Sequence, residues 1–413
     1  MIVLPRLTVN CDRLNGSLLE LAEMGRLPNG GVSRVAFTPE DLGGRERVRA
    51  WMQEAGMTVR TDAAGNMIGT YAGTVPGAPS LATGSHIDTV PIAGRYDGCL
   101  GVLAGIEVVR VLQENRLRLK HPIEVIVFTD EEISVIGCKA MAGNVKPDPN
   151  YYRRSDGTSI QACLERIGGD WKQIATARRD RSTMAAFVEL HVEQGGILEQ
   201  SGTQIGVVTG VVGQYRFGVK VLGRPNHAGT TPMNQRKDAL VAAAQMVLAV
   251  NRLGTETPGD QVATVGYLTV SPNATNVVPA QVEFKVDLRD LSQDHLETLI
   301  QQMEQEFRTI AAATDTEITI TQLLHIRPTL AKPEIMDTIA QVSQSLNLSH
   351  ETLPSRAGHD AQEIGRFTDM GMIFVPSRAG ISHSEEEYTS PEECAQGANV
   401  LLQTLLILDE KYP

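Results

Sequence analysis

Five side chains of the types that bind metal ions each follow a predicted strand or the turn after one; they are His86, Asp97, Glu132, His191 and His383. Imidazole and carboxylate groups suit borderline divalent ions such as zinc, manganese, cobalt or nickel. A carboxylate can bridge two such ions about 3.5 Å apart, and the pair then activates water for hydrolysis near neutral pH. Together these residue types predict a two-metal hydrolytic site.

The segments that carry these residues read as strand ends. An apolar run, 81–86, ends in a histidine, and Asp88 follows it on the same side of the extended chain. The β-branched run 123–128 leads to three acids at 130–132, which repel one another unless a cation or a proton neutralises them. Runs 186–190 and 371–375 precede the remaining histidines. Four strand ends therefore offer ligands toward one point.

Each candidate also has an ordinary structural interpretation. A single histidine after a strand is usually a hydrogen-bonded structural residue. Asp97 alone could form a turn or cap the following helix. His383 is followed by Ser-Glu-Glu-Glu and could lie on the surface. The coincidence of all these segments in one chain favours the metal site.

Nine short motifs occur in a fixed order along the chain: Gly-Ser-His-Ile-Asp-Thr-Val, Tyr-Asp-Gly, Thr-Asp-Glu-Glu, Leu-His-Val-Glu-Gln-Gly, Asn-His-Ala-Gly-Thr-Thr-Pro-Met, Asn-Val-Val-Pro, Asp-Leu-Arg, Ala-Gly-His-Asp-Ala and Gly-Ile-Ser-His. In motif order and spacing the chain resembles the amidase branch of the M20 metallopeptidase family. That branch contains N-carbamoyl-L-amino acid amidohydrolases, β-ureidopropionases and allantoate amidohydrolases. The resemblance covers nearly the whole chain.

The resemblance implies a role for each position of the metal site. Two overlapping sets would each hold one divalent ion: His86, Asp97 and His191 for the first, and Asp97, Glu132 and His383 for the second. Glu131 would be the catalytic acid and base, and Asp88 would orient His86 from behind. A histidine at 191, where peptidase relatives carry an acidic ligand, favours the amidase branch.

The resemblance also implies substrate-binding residues. His227 would donate to the developing oxyanion, and Arg289 would clamp a carboxylate with two parallel hydrogen bonds. Gln194 and Asn276 would hold other polar groups of the substrate. The ordinary alternatives stay open, because Arg289 could pair with a neighbouring aspartate and Asn276 could shape a turn. The pair His359-Asp360 is expected to support the site rather than to bind metal.

The activity implied by the resemblance is hydrolysis of an N-carbamoyl-L-amino acid to the amino acid, carbon dioxide and ammonia. Hydrolysis of allantoate or of N-carbamoyl-β-alanine would use the same residues, and a peptidase is the less favoured alternative. Two positions depart from the family pattern: the first leaves room for a metal-binding protein without catalysis, and the second could change the preferred size or charge of the substrate. Ile133–Ile136 replaces a glycine, a small residue, an arginine and a phenylalanine, and Arg356 replaces a glycine.

The periodicity of the chain predicts two domains. Residues 211–329 read as strand, helix, strand, strand, helix, strand, which is a split βαβ, ferredoxin-like α+β unit. Residues 1–210 and 330–413 alternate helices with apolar strands, which predicts a discontinuous α/β catalytic domain with a central mixed sheet between helices. The resemblance implies that the inserted domain acts as a lid and pairs two subunits into a homodimer.

Composition limits the partners of the protein. The formal charge of −12 over 413 residues argues against broad nucleic-acid binding. No apolar run approaches the length of about 18 residues that a membrane span needs, so no membrane partner is expected. The five cysteines are odd in number and show no close pairing, which predicts reduced thiols in a cytoplasmic protein. The small-molecule partner, an N-carbamoyl amino acid or another ureido acid, is implied by the resemblance alone.

Overall fold

The computed structural model describes residues 7–413 and divides into two compact units. The larger unit contains the described chain up to Val211 together with Leu330–Pro413, and the inserted unit is Val212–Thr329. The strands in chain order are β1 (Thr58–Thr61), β2 (Met67–Tyr71), β3 (Ser80–His86), β4 (Ile123–Phe128), β5 (Met184–Val192), β6 (Ile205–Val211), β7 (Gly213–Leu222), β8 (Val262–Ser271), β9 (Gln281–Asp290), β10 (Glu317–Ile326), β11 (Thr329–Leu330), β12 (His350–Ser355) and β13 (Asp369–Val375).

The helices are numbered in the same way. They are α1 (Cys11–Ala22), α2 (Pro39–Glu54), α3 (Cys99–Glu114), α4 (Ile136–Ala142), α5 (Ile160–Arg166), α6 (Ile197–Ser201), α7 (Ala239–Glu256), α8 (Gln293–Ala313), α9 (Pro333–Ser345), α10 (Asp360–Ile364) and α11 (Pro391–Lys411). None of these helices, which are those of the described residues, is long and apolar enough to cross a lipid bilayer.

The larger unit is built on a nine-stranded mixed sheet, which confirms the predicted α/β class. Its strand order is β1-β2-β4-β3-β5-β13-β6-β11, and β12 pairs with β6. The four central strands β4, β3, β5 and β13 run parallel, and every residue in them is buried. Parallel strands covered on both faces need continuous apolar runs, which these sequences provide. Their carboxyl ends meet at one edge of the sheet, where ligands bind in folds of this class.

Helix α3 packs on a face of the sheet, and its first turn lies near this carboxyl edge. All but three of its sixteen residues are buried, and it packs on β3 and β5. A Cβ atom at Gly101 would lie 2.4 Å from the carbonyl oxygen of Leu190. The glycine therefore lets the helix approach the strand closely, which brings the loop before α3 over the strand ends.

The inserted unit has the order β7, α7, β8, β9, α8, β10, and its four antiparallel strands lie in the order β10-β7-β9-β8. One face of the sheet is apolar at alternate positions, with Tyr215, Phe217, Val219 and Val221 buried against α7 and α8. This is the βαββαβ pattern that the periodicity predicted. All five cysteines of the chain are free thiols.

Candidate active site

The five predicted metal-binding side chains lie together at the carboxyl edge of the larger sheet. His86 is the last residue of β3, and His191 is the penultimate residue of β5. Glu132 lies in the turn after β4, Asp97 in the loop before α3, and His383 in the loop after β13. His86, Asp97 and His191 are buried, Glu132 is partly buried, and the side chain of His383 is 49% exposed, so this histidine forms the solvent-facing side of the site.

Asp97 is the centre of the cluster, because its two oxygens face different partners. Its Oδ1 lies 3.5 Å from Nε2 of His86 and 3.2 Å from Nε2 of His191. Its Oδ2 lies 3.3 Å from Nε2 of His383, which is in turn 3.5 Å from a Glu132 oxygen. Three groups of three ligand-type residues in the described chain have ligand atoms within 4.8 Å of one another, and Asp97 belongs to two of them, His86–Asp97–His191 and Asp97–Glu132–His383. The third group consists of Glu189, His191 and His359.

The hydrogen bonds of two histidines show that the cluster fits divalent cations. Nδ1 of His86 lies 2.9 Å from the carbonyl oxygen of Asp88, and Nδ1 of His191 lies 2.8 Å from that of Val192. A carbonyl only accepts, so each Nδ1 carries the proton and each Nε2 presents a lone pair. Those lone pairs point toward the oxygens of Asp97, and two acceptors stay in contact only with a cation or a proton between them.

The carboxylates of the cluster support the same conclusion. Oε1 of Glu132 is buried without a hydrogen-bond partner. Burial raises the pKa of Glu132 to about 7, because the charged form loses its hydration and Asp97 lies nearby, although His86 and His383 oppose the shift. Buried carboxylates at this density are destabilising unless they are neutralised. Nitrogen and oxygen donors around a bridging carboxylate are the set that zinc, manganese, cobalt or nickel accepts.

Glu131 lies beside the cluster but belongs to neither ligand group. Its side chain is 11% exposed, and Oε2 lies 3.7 Å from Nε2 of His86. Burial raises the pKa of Glu131 well above its usual value; the imidazole of His86 opposes this, and the carboxylates of Asp360 and Glu132 add to it. A carboxyl group with a raised pKa accepts a proton more readily than an ordinary glutamate, and Glu131 lies where an acid and base catalyst would be needed.

The predicted contact between Asp88 and His86 runs through the main chain instead of the carboxylate. The carbonyl oxygen of Asp88 accepts from the histidine, as described above. The Asp88 carboxylate accepts the backbone N–H groups of Glu131 and Glu132, at 3.3 and 3.2 Å. Asp88 therefore holds His86 through its carbonyl oxygen and the turn with Glu131 and Glu132 through its carboxylate.

Gly98 must be a glycine for the cluster to form. Its φ is +66°, a left-handed conformation that side chains disfavour. A Cβ atom there would lie 2.5 Å from the ring atoms of His86. The Gly98 N–H also approaches Nε2 of His191 at 3.2 Å. The tight turn before α3 thus places Asp97 between the two rings.

Two arginines that the sequence did not single out hold the ligand segments. Arg34 is completely buried, and it donates to the carbonyl oxygens of Ile87, Leu21 and Met24 and to the thiol of Cys99. Arg154 donates to Oδ1 of Asp130 at 2.7 Å. Family relatives carry an arginine in the stretch after the double glutamate, where this chain has Ile133–Ile136. Arg154 brings a guanidinium to that turn from a distant segment.

Gln194 contacts the carboxylate of Asp97. Its Nε2 donates to Oδ2 of Asp97 at 2.8 Å, and its Oε1 is buried without a partner. The φ of Gln194 is +58°, and its backbone N–H donates to the hydroxyl of Ser377. The unpaired amide oxygen remains available to accept a hydrogen bond at the site.

His359 and the following residue Asp360 lie beside His191, which belongs to the first ligand group. The ring of His359 meets that of His191 edge-on, with centroids 4.5 Å apart, and its Nε2 lies 2.8 Å from the hydroxyl of Ser355. Burial, followed by the neighbouring His191, lowers the pKa of His359 well below its usual value, so this ring is neutral. Both oxygens of Asp360 are buried without a hydrogen-bond partner. The pair supports the wall of the site.

The remaining predicted residues belong to the inserted unit. Nδ1 of His227 accepts from the N–H of Gly229 at 3.0 Å, so the proton of the neutral ring is on Nε2. The carbonyl of Asn276 accepts from the N–H of Ala228 at 3.0 Å, which places these two predicted residues side by side. Arg289 forms an ion pair with Asp287 at 2.9 Å, the ordinary alternative considered above.

Comparison with known proteins finds the same relatives by sequence and by structure. A model of the peptidase family M20/M25/M40 matches residues 82–407. An N-carbamoyl-L-amino acid amidohydrolase of Geobacillus stearothermophilus is 39% identical over 399 residues, which cover 95% of this chain and 97% of the relative. A ureidoglycolate hydrolase of Arabidopsis thaliana is 35% identical over 412 residues, which cover 97% of this chain and 87% of the relative.

The fold agrees with that of a solved amidase. The crystal structure of an amidase of the hydantoinase/carbamoylase family from Burkholderia multivorans matches with a TM-score of 0.90 and 36% sequence identity. The match covers 98% of each chain. Both units of the present chain are therefore included in the likeness.

Proposed function

The chain belongs to peptidase family M20/M25/M40, and on this premise we propose that it is a metal-dependent amidohydrolase that cleaves the ureido C–N bond of N-carbamoyl-L-amino acids. The observation that carries the proposal is Asp97, a buried carboxylate whose two oxygens face two separate groups of ligand-type side chains. The products would be the amino acid, carbon dioxide and ammonia.

The proposed site holds two divalent ions per subunit, each zinc, manganese, cobalt or nickel. The ligands would be His86, Asp97 and His191 for one ion and Asp97, Glu132 and His383 for the other. When bound, such a pair polarises a carbonyl group and lowers the pKa of water. The first two histidines are held for this role by their Nδ1 hydrogen bonds to main-chain carbonyls.

Glu131 carries the proton in the proposed reaction. It would accept a proton from the attacking water and deliver it to the leaving nitrogen. Its near-complete burial and its position outside both ligand groups support this role. The proposal keeps one carboxylate for proton transfer and another, Glu132, for metal binding.

We assign substrate contacts to four polar residues. His227 has its ring proton on Nε2, which suits a donor to the oxyanion of a tetrahedral intermediate. Arg289 would exchange its ion pair with Asp287 for the substrate carboxylate. Gln194 offers a buried amide oxygen without a partner, and Asn276 lies beside the His227 segment.

The inserted unit supports a homodimer, in which it would also act as a lid. Strand β8 is an edge of its sheet, and Tyr267 and Leu268 on that strand are exposed. The neighbouring helix α7 exposes Val241 and Leu248, seven residues apart and so on one face. An unpaired edge strand beside an apolar helix stripe is a surface that a second copy can cover with two-fold symmetry.

The positions of the assigned substrate residues within the inserted unit also support a homodimer. His227 and Asn276 lie beyond the Gln281 end of β9, whereas Arg289 lies at the opposite end of that strand. Eight residues of extended chain separate these ends, which is about 26 Å. A small ureido acid cannot reach both ends of one copy, so the three assigned residues would have to come from two subunits.

Leu248→Glu is therefore expected to give a monomer with strongly reduced turnover. A buried charge on the α7 stripe would oppose pairing, and each site would then lose the residues of its partner. Light scattering after gel filtration measures the mass, and a steady-state assay measures kcat/KM. Leu19→Glu, at an exposed leucine of α1, is the matched control and should stay dimeric. A monomeric wild type, or a fully active monomeric variant, would exclude this assembly.

A substrate panel tests the proposed activity itself. We expect the purified protein, supplied with manganese, cobalt or zinc, to release ammonia from N-carbamoyl-L-amino acids and to lose this activity in the presence of a chelator. The same panel should contain ureidoglycolate and allantoate, because relatives are named for these activities, and N-carbamoyl-β-alanine and dipeptides, which the motif resemblance left as alternatives. Preferred turnover of one of these would reassign the substrate. No turnover of any compound by fully metallated protein would favour a metal-binding protein without catalysis.

A further inference from the structure

The run Glu385-Glu-Glu387 follows His383 and looks like a solvated acidic turn. Glu385 and Glu386 are exposed, as such a turn requires, but Glu387 is only 4% exposed. A buried carboxylate next to an exposed acidic pair needs an explanation, because its burial is unfavourable without specific partners.

The hydrogen-bond partners of Glu387 lie mainly in the loop that carries Asp97. Its Oε1 accepts the backbone N–H of Tyr96 at 2.9 Å and that of Asp97 at 3.1 Å. Its Oε2 lies 3.1 Å from the hydroxyl of Ser382, which also lies 2.9 Å from Oδ2 of Asp97. The contact is tight, since a Cβ atom at Gly94 would lie 2.4 Å from Cβ of Glu387.

We propose that Glu387 is a positioning residue that fixes Asp97 and His383 relative to each other. It stands four residues after His383 and binds the main chain of Asp97, so it joins two ligand segments that are distant in sequence. The proposal rests on the two-metal site proposed above. Within residues 7–413, Glu387 is the residue that accepts hydrogen bonds from both the Tyr96 and the Asp97 N–H groups.

The effect should be larger for the second ion, because Asp97 belongs to both ligand groups whereas His383 belongs only to the second. His86 and His191 are held by β3 and β5 and by their Nδ1 hydrogen bonds. The second set depends on two loop residues, Asp97 and His383, whose relative position is fixed through Glu387. Loss of Glu387 would also leave two backbone N–H groups without their acceptor, and the Asp97 loop would relax.

The test compares Glu387→Ala, Glu387→Gln and the matched control Glu386→Ala in the full-length protein. Metal content after equilibrium dialysis against graded cobalt or zinc gives the number of ions and the affinity for the weaker one. We expect Glu387→Ala to bind the second ion at least tenfold more weakly and the first ion with a clearly smaller loss of affinity, with kcat partly restored by excess metal. Glu387→Gln keeps an oxygen for the two N–H groups and should stay within about threefold of the wild type. Glu386→Ala should be unchanged.

Circular dichroism and thermal unfolding establish whether each variant is folded. A folded Glu387→Ala protein that binds two ions with wild-type affinity would overturn the proposal, and so would an equal loss in the Gln and Ala variants. If Glu387→Ala does not fold, Ser382→Ala is used as the test instead. This variant removes the hydroxyl that contacts Oδ2 of Asp97, so it should lower the affinity for the second ion only. Unchanged binding there would also overturn the proposal. A wild-type protein that holds fewer than two ions would instead contradict the two-metal function.

Discussion

Glu131→Gln is expected to lower kcat by about 10²- to 10⁴-fold while both metal ions stay bound. Glutamine has almost the same shape, but its amide cannot take a proton from water and return it to the leaving nitrogen. Glu131 belongs to neither ligand group, so metal content should not change. KM should change little, because substrate binding is assigned to other residues. Steady-state kinetics and metal analysis of the same preparation measure the two effects.

The adjacent Glu132→Gln is the control for this prediction. Glu132 lies in the second ligand group, so its amide variant should lose an ion and recover part of its rate in excess metal. The two neighbouring substitutions therefore separate proton transfer from metal binding. Equal metal contents together with equal rates in the two variants would show that these roles are assigned wrongly.

Asp97→Asn is expected to bind almost no metal and to have no measurable turnover. Each ligand group loses its shared anion, and an amide nitrogen cannot replace the second carboxylate oxygen as a ligand. Added metal should raise the unfolding temperature of the wild type, because ions that bind only the folded state stabilise it. The same addition should leave the unfolding temperature of Asp97→Asn nearly unchanged.

The exposed Asp156 provides the matched control, since Asp156→Asn removes one negative charge from a residue that belongs to no ligand group. It should keep two ions, the metal-dependent thermal shift and full activity. An Asp97→Asn protein that still bound both ions would mean that the carboxylate is not shared between them.

The candidate metal residues could be predicted from the sequence because their positions follow from local patterns. His86, Glu132 and His191 each sit at or just after an apolar run, and parallel strands bring such ends to one edge. The fold of the inserted unit could also be predicted from the sequence, since its period-two and helical patterns follow the βαββαβ order. The order of strands in the larger sheet depends on pairings between distant segments, which periodicity does not encode.

The residues that hold the ligands in place were harder to predict. Glu387 follows two exposed glutamates, and only the tertiary packing of Gly94 and Tyr96 against it shows that it is buried. Arg154 lies in a polar crossover 24 residues from its partner Asp130, so no local pattern relates them. The interaction of Asp88 with His86 uses a main-chain carbonyl, an atom that every residue has.

The most direct test of the two-metal site is anomalous diffraction from crystals of the wild-type protein equilibrated with cobalt or zinc. We expect two peaks per subunit, about 3.5 Å apart, with the carboxylate of Asp97 between them. One peak should contact His86 and His191, and the other Glu132 and His383. A single peak, or two peaks that do not share Asp97, would contradict the proposed dinuclear centre.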